Sequence, residues 1–244
     1  MTAVRTRADP RRAPRRYKLA LAAVVVLVLV AIGIVLIVQS DVHHGSSGSK
    51  GVQGSGVAAT ESRSLAAFTG VELAGVTNVT IRVGRKQSVV VHADDNLLRR
   101  VTTRVRGGSL VIGNTSGSFT AKSPMRVEVS VPSLEELTLS GSGAVTVAGV
   151  EAPRLTVTLA GSGVVRASGT AARLDVSLSG SGEARLHRLV ARDVNAVVSG
   201  AGQILVTATK RLNASVPGTG SISYGGNPSH VTTSITGSGA VTRG

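Results

Sequence analysis

The chain has 244 residues, no cysteine and 30 glycines, a length that allows one membrane anchor and one domain. The lack of cysteine excludes disulfides, thiolate metal sites and a cysteine nucleophile. The formal net charge is +14, but only 2% of the residues are aromatic. Because recognition of bases relies on aromatic stacking, we expect no nucleic-acid partner.

The first 38 residues predict a membrane anchor. Residues 1–18 form a basic tail, and residues 19–38 carry no polar side chain. A helix of that length spans about 30 Å, the thickness of the hydrocarbon core of a bilayer. We therefore predict a transmembrane helix at 19–38; the alternative is a cleaved secretory signal, whose apolar core is usually shorter. Because basic side chains stay in the cytoplasm, we predict a single-pass protein of the cell membrane with a cytoplasmic N-terminus and an extracytoplasmic C-terminal domain.

Residues 39–64 are predicted to be a flexible linker, because they are rich in Gly and Ser and show no apolar periodicity. His43 and His44 lie in this linker. Two adjacent histidines on a flexible chain bind a metal ion weakly, and nothing nearby completes a set of ligands. We therefore predict no metal site and no cofactor.

Residues 65–132 are predicted to be a β-rich N-terminal cap. Apolar and polar side chains alternate in several short stretches, but the glycine pattern that follows is missing. An array of repeats needs an atypical terminal unit to cover its first edge. The predicted strands are 79–83, 88–92, 101–105, 109–112 and 125–131.

Residues 133–244 contain a repeat built around a Gly-x-Gly tripeptide, which recurs at spacings of 20, 19, 20, 18 and 19 residues. Side chains alternate with a period of two on both sides of each tripeptide, which predicts two short strands joined at a corner. We interpret the glycines as corner residues that allow positive φ and close approach of the backbone. They are Gly141, Gly143, Gly161, Gly163, Gly180, Gly182, Gly200, Gly202, Gly218, Gly220, Gly237 and Gly239.

The regular corners favour parallel coils that pair with one another, because an antiparallel meander would not keep the same residue type at each corner. The predicted fold class is all-β: a right-handed parallel β-solenoid (β-helix) with an N-terminal β cap, preceded by one transmembrane helix. Residues 240–244 follow the last tripeptide. We therefore expect an uncovered C-terminal edge that can pair with another copy or a partner.

Two outward columns of the repeat carry polar side chains on one face, called here the polar face. Parallel β-helices include polysaccharide lyases and hydrolases, and such an enzyme would use Asp175 or Asp193 as a base beside Arg173. We favour charge neutralisation, because neighbouring arginines lower a carboxyl pKa and no aromatic residue seats a sugar. The polar face consists of Arg154, Arg173, Asp175, Asp193, Asn195, Arg211 and Asn213.

The order of motifs in residues 65–244 resembles the bacterial head GIN domain family, whose members are labelled auto-transporter adhesins. The motifs are Phe68-Thr-Gly-Val-Glu-Leu, Val-Thr-Ile-Arg-Val, Ser-Val-Val-Val-His-Ala-Asp94-Asp95-Asn96, Gly-Ser-Leu-Val-Ile and the repeated Leu-Thr-Leu-Ser-Gly-Ser-Gly. The resemblance implies a β-solenoid of the cell envelope with no established catalytic activity. For Asp94-Asp95-Asn96 we expect a turn and carry over no binding role.

We therefore predict a membrane-anchored, extracytoplasmic and non-enzymatic domain that acts in adhesion, scaffolding or envelope interactions. A weak polysaccharide lyase or hydrolase is the alternative. The basic tail supplies +6 of the net charge and leaves +8 on the rest of the chain. This charge suggests an anionic cell-wall polymer as a partner, beside the membrane, an envelope protein and a second copy at the C-terminal edge.

Overall fold

The computed structural model describes residues 51–244, and residues Ser49–Gly244 form one compact unit. One continuous hydrophobic core runs through this unit, so it can fold on its own. The basic tail, the apolar segment 19–38 and the first part of the predicted linker, with His43 and His44, lie outside the described residues. In the part that is described, no helix is both long and apolar enough to cross a bilayer.

The described chain consists almost entirely of strands. Its one helix is a 3-10 helix at Asp95–Arg100. The strands are β1 (Val52–Gln53), β2 (Ala58–Arg63), β3 (Gly70–Ala74), β4 (Asn78–Val83), β5 (Ser88–Asp94), β6 (Val101–Arg106), β7 (Ser109–Asn114), β8 (Phe119–Thr120), β9 (Arg126–Val131), β10 (Glu136–Leu139), β11 (Ala144–Leu159), β12 (Val164–Leu178), β13 (Glu183–Val198), β14 (Gln203–Val216), β15 (Ser221–Gly226), β16 (His230–Ile235) and β17 (Ala240–Arg243).

The repeat folds into two parallel ladders that meet at the Gly-x-Gly corners. The pre-corner ladder contains β10, the second halves of β11 to β14, and β16. The post-corner ladder contains the first halves of β11 to β14, then β15 and β17. The coils stack into a β-solenoid of about five turns, which confirms the predicted all-β solenoid. The right hand of the coil stays a prediction.

Parallel pairing begins before the glycine repeat. β3 pairs with β10, with Gly70 opposite Glu136, and β4 pairs with β11. A Cβ atom added to Gly141 would overlap the carbonyl oxygen of Gly75, so Gly75 occupies the place of a corner glycine. Part of the segment 65–132, predicted to be only a cap, therefore forms a coil of the solenoid itself.

Antiparallel strands close the N-terminal end of the solenoid. β5 pairs with β9 on one side and with β2 on the other, and β6 pairs with β7. The 3-10 helix packs against β2, β5 and β6, and its Leu97 side chain is fully buried. This end of the core is therefore covered, as expected of a cap.

The predicted linker is too long. Residues Ala58–Arg63 form β2 and pair with β5, and β1 pairs with β8. Side chains of β2 alternate between exposed and half-buried, and most of them are small or polar. Such an edge strand resembles a linker in composition, because one of its faces meets solvent. The prediction that residues 39–64 form one flexible linker is therefore wrong for 52–63.

The corner glycines are required by close approach between coils. A Cβ atom on Gly161 would overlap the carbonyl oxygen of Gly141, and the same relation recurs from coil to coil. None of the corner glycines has a positive φ. The part of the interpretation that gave these corners positive φ is therefore wrong. Glycine is needed because the neighbouring backbone occupies the space of a side chain, which is the close approach that the interpretation also named.

The C-terminal end of the core is open. β16 continues the pre-corner ladder, with Val231 opposite Leu212 and Ile235 opposite Val216. Leu212 and Val216 are buried, whereas Val231 is 43% and Ile235 46% exposed. In residues 51–244, β16 pairs only with β14 and β17 only with β15. These two edge strands and their apolar side chains are called the open end below.

Candidate functional site: the polar face and its ion pairs

The pre-corner ladder brings the polar face together from four neighbouring strands. Arg173 lies opposite Arg154 on one side and Asp193 on the other, and Asp193 lies opposite Arg211. A cleft of about 330 Å³ opens along these strands. Arg154 is the one residue of the polar face outside its lining, which includes Arg173, Asp175, Asp193, Asn195, Arg211 and Asn213.

Asp193 is the most tightly held charge of this face. Asp193 is only 7% exposed. The Arg211 guanidinium donates from Nε to Oδ1 at 2.7 Å and from Nη2 to Oδ2 at 3.0 Å, and Arg192 donates to Oδ2 at 3.3 Å. These arginines, Arg211 above all, hold the pKa of Asp193 below its ordinary value, against the burial that raises it.

The outward columns of the repeat place Arg173 beside Asp193, but a different arginine contacts it. Arg173 is in register with Asp193 but forms no ion pair with it, whereas Arg192, the preceding residue of the chain, does. Asp175 is paired with Arg154, whose Nε lies 3.5 Å from Oδ2. Both carboxylates of the polar face are therefore engaged by arginines.

The contacts of Asp193 neutralise its charge and do not prepare it as a general acid. A general acid at neutral pH needs a raised carboxyl pKa, and that of Asp193 is lowered. Arg173, Asn195 and Asn213 are exposed along the same columns. The polar face is therefore an ion-pair ladder with exposed polar groups at its surface, an arrangement that can bind a polar ligand.

Metal binding finds no support in residues 51–244, where no three His, Cys, Asp or Glu side chains lie close enough to share an ion. His92 contacts Glu128, with Nε2 and Oε1 3.4 Å apart, and the neighbouring charges are Arg126 and Arg82. These residues form an ion-pair cluster on the cap.

Asp94 has a structural role that the sequence did not reveal. It is buried at the end of β5, where its carboxylate accepts the backbone N–H groups of Lys122 at 2.8 Å, Ser123 at 3.1 Å and Gly56 at 3.2 Å. The Ser123 side chain and these N–H groups hold the pKa of Asp94 below its ordinary value, although burial opposes them. The expected turn is in fact the start of the 3-10 helix, and Asp94 ties the segment before β2 to the cap.

A second cleft, of about 320 Å³, lies on the post-corner ladder and was not predicted. Three arginines line it: Arg166, Arg185 and Arg188. The first two share an outward column that an alignment of the repeats contains. Arg188 joins them only because β13 carries an extra residue at this point, which a nearly constant repeat length conceals. This surface is called the basic cleft below.

A family model and several solved structures resemble this chain. The family model described as "Putative auto-transporter adhesin, head GIN domain" matches residues 67–228. No curated protein matches the chain significantly.

Solved structures share the architecture. A "putative adhesin" of Bacteroides fragilis is 22% identical, with a TM-score of 0.67 over 79% of this chain and 100% of its own. A "putative adhesin" of Parabacteroides distasonis is 23% identical, with a TM-score of 0.54 over 79% of this chain and 99% of its own. A "putative lipid binding protein" of the same organism is 22% identical, with a TM-score of 0.53 over 80% and 100%.

At these identities the solved structures establish the fold alone, whereas the family model spans more than half of the chain. Its match includes β3, the first coil, Asp94 and most of the glycine corners. The chain therefore belongs to the head GIN domain family, as the order of its motifs predicted.

Proposed function

We propose that this chain is a membrane-tethered, non-enzymatic adhesin that works outside the cytoplasm and joins a second copy of itself through the open end. The open end carries the proposal. An edge strand with unpaired N–H and C=O groups is a template for another strand. Here the edge also bears apolar side chains at positions that are buried in the four preceding coils, β11 to β14.

The membrane tether is supported by the sequence. Residues 19–38 contain no polar side chain and follow a basic tail, which is the order found in single-pass proteins with a cytoplasmic N-terminus. The solenoid would then stand on the outer side of the membrane, where an adhesin meets its partner.

The second copy is favoured as the occupant because the other end of the solenoid is closed. Its edge strands carry charged side chains, Glu61 and Arg63 on β2 and Arg104 and Arg106 on β6, and such residues discourage strand addition. Head-to-tail stacking therefore finds no matching surface. Two open ends can instead meet about a twofold axis, with β16 antiparallel to its copy and with Val231 and Ile235 buried on both sides.

The test is the mass in solution of residues 49–244, measured by light scattering across a range of concentrations. We expect a dimer for the wild type and a monomer for Val231→Lys/Ile235→Lys. Both side chains are exposed, so the double variant should keep its fold. The matched control is Val190→Lys, which is 42% exposed on the side of the solenoid and should remain dimeric. A wild type that stays monomeric at high micromolar concentration would overturn self-association.

The orientation can be tested in the full chain because it contains no cysteine. A single Gly244→Cys substitution provides one thiol at the end of the solenoid domain. A membrane-impermeant maleimide should label it in intact cells. Labelling that occurs only after lysis would place the domain in the cytoplasm and refute the proposed topology.

A further inference from the structure

The basic cleft has an unusual balance of charge. Its polar lining comprises Thr146, Arg166, Ser168, Arg185, His187 and Arg188. Arg166 and Arg185 lie directly opposite each other in β12 and β13, where like charges destabilise a sheet. Such a pair does not destabilise the fold if negative charge lies nearby.

One carboxylate partly compensates the charge of the three guanidinium groups. Glu183 pairs with Arg185, with 2.6 Å between Oε2 and Nη2, and this contact lowers the pKa of Glu183. Within residues 51–244, Arg166 and Arg188 form no ion pair. The cleft therefore retains a net positive charge on two arginines whose forks are available to a ligand.

A β-bulge shapes the cleft. Arg166 pairs with Arg185 but Ser168 pairs with Arg188, so β13 has one residue more than β12 across this interval. Towards β14 the interruption is wider, since pairing resumes from Leu186 only at Val190. Bulges re-aim side chains and often border binding sites.

The bulge is held in place by the next coil. The Thr207 hydroxyl donates a hydrogen bond of 2.8 Å to the backbone carbonyl of His187. The arginines thus project from two neighbouring strands whose irregular spacing is fixed by a specific contact.

We propose that the basic cleft binds a phosphate group of a phosphate-bearing polymer chain, held between Arg166 and Arg188. The planar guanidinium fork matches the oxygens of phosphate and can bind them in bidentate fashion. The lining contains no Phe, Tyr or Trp, so recognition is through the charged backbone of the polymer and not through stacking on a large aromatic face. The site lies on the side of the solenoid, apart from β16, and does not depend on self-association.

The experiment is a calorimetric titration of residues 49–244 with inorganic tripolyphosphate at low salt. We expect Arg166→Gln/Arg188→Gln to weaken binding at least tenfold. The matched control is Arg104→Gln/Arg106→Gln on β6, which removes the same two charges from the capped end and should change the affinity less than twofold. Both pairs are exposed or half-exposed, and circular dichroism verifies that each variant is folded.

Three results would overturn the proposal. If both double variants weaken binding equally, or if tripolyphosphate does not bind at all, the cleft is not a phosphate site. If a polyglutamate of equal charge binds as tightly as tripolyphosphate, and with the same sensitivity to Arg166→Gln/Arg188→Gln, the cleft does not select phosphate. Selective loss of tripolyphosphate binding in the cleft variant supports it, whatever the mass measurement shows for the open end.

Discussion

A single methyl group added at Gly161 probes the contact between coils at the corner. The new Cβ atom of Gly161→Ala would overlap the carbonyl oxygen of Gly141. The two coils must then move apart locally, although adjacent strands are normally held at a fixed spacing by their hydrogen bonds. The substitution therefore tests whether the backbone hydrogen bonds between the two coils can accommodate one methyl group.

The size of the effect follows from the bonds at this corner. Gly163 N–H donates to Gly141 C=O at 3.2 Å, and Ala160 N–H donates to Leu139 C=O at 2.9 Å. Losing both would destabilise the fold by about 2–6 kcal/mol, at about 1–3 kcal/mol for each pair left unsatisfied. Where the backbone can accept alanine, the same change instead stabilises a protein by about 0.4–1 kcal/mol. The sign of the effect therefore distinguishes a crowded corner from an open one.

The assay is thermal unfolding of residues 49–244, followed by circular dichroism. A loss of this size lowers the Tm by roughly 4–24 °C in a domain of this length. The control is Ser162→Ala between the two glycines, where the side chain is exposed and a change within about 0.5 kcal/mol is expected. If Gly161→Ala is as stable as the wild type, the coils do not touch at the corner and the explanation given for the glycine column fails.

Three further predictions concern stability and charge. The pKa of Asp94 is lowered from 3.8, so its carboxylate stabilises the fold above that pH and the contribution is lost as the pH falls through the folded-state pKa. Asp94→Asn should therefore lower the free energy of unfolding at neutral pH. It should also make that free energy decrease less as the pH falls below 3.8, as measured by urea titrations. Leu174→Ala in the core should cost about 2–5 kcal/mol, whereas Val231→Ala at the open end should cost less than about 1 kcal/mol in the same assay, run at a dilution at which the fragment is monomeric. Arg211→Gln should raise the pKa of Asp193 towards its ordinary value, as followed by carboxyl NMR, because Arg211 is the main cause of the lowering.

Each of these predictions has a comparison that can contradict it. Glu151→Gln, at an exposed position, should lose stability at acid pH as the wild type does. If Asp94→Asn also loses stability at acid pH as the wild type does, the proposed role of the Asp94 carboxylate is refuted. Equal losses from Leu174→Ala and Val231→Ala would mean that the C-terminal end is as well packed as the core. Arg154→Gln should leave the pKa of Asp193 unchanged, since Arg154 pairs with Asp175.

The repeat could be predicted because its physics is local and periodic. Inward residues such as Leu139, Leu159 and Leu178 recur at the same distance before each glycine, and all three are buried. Once the corners fix the register, Arg211 must lie beside Asp193, as it does. The two ladders and the residues of the polar face can therefore be predicted from a single sequence.

The remaining features depend on contacts between distant segments. β2 pairs with β5 across about thirty residues, and an edge strand of small and polar side chains carries no strong pattern of its own. Asp94 gains its buried site from N–H groups of two separate loops. The extra residue near His187 changes the glycine spacing only from 19 to 20 residues, and that spacing does not show where in the coil the residue is inserted.

The stacked corners also bear on how such a rod can evolve in length. Each corner glycine rests on the same backbone atoms of the preceding coil, so a whole coil can be gained or lost while its neighbours keep their contacts. Tandem duplication of one unit would extend the rod by about 4.8 Å, the spacing of adjacent strands. An insertion of a few residues within a strand would instead misalign the glycines. The distance that the molecule reaches should therefore change between relatives in discrete increments of one coil.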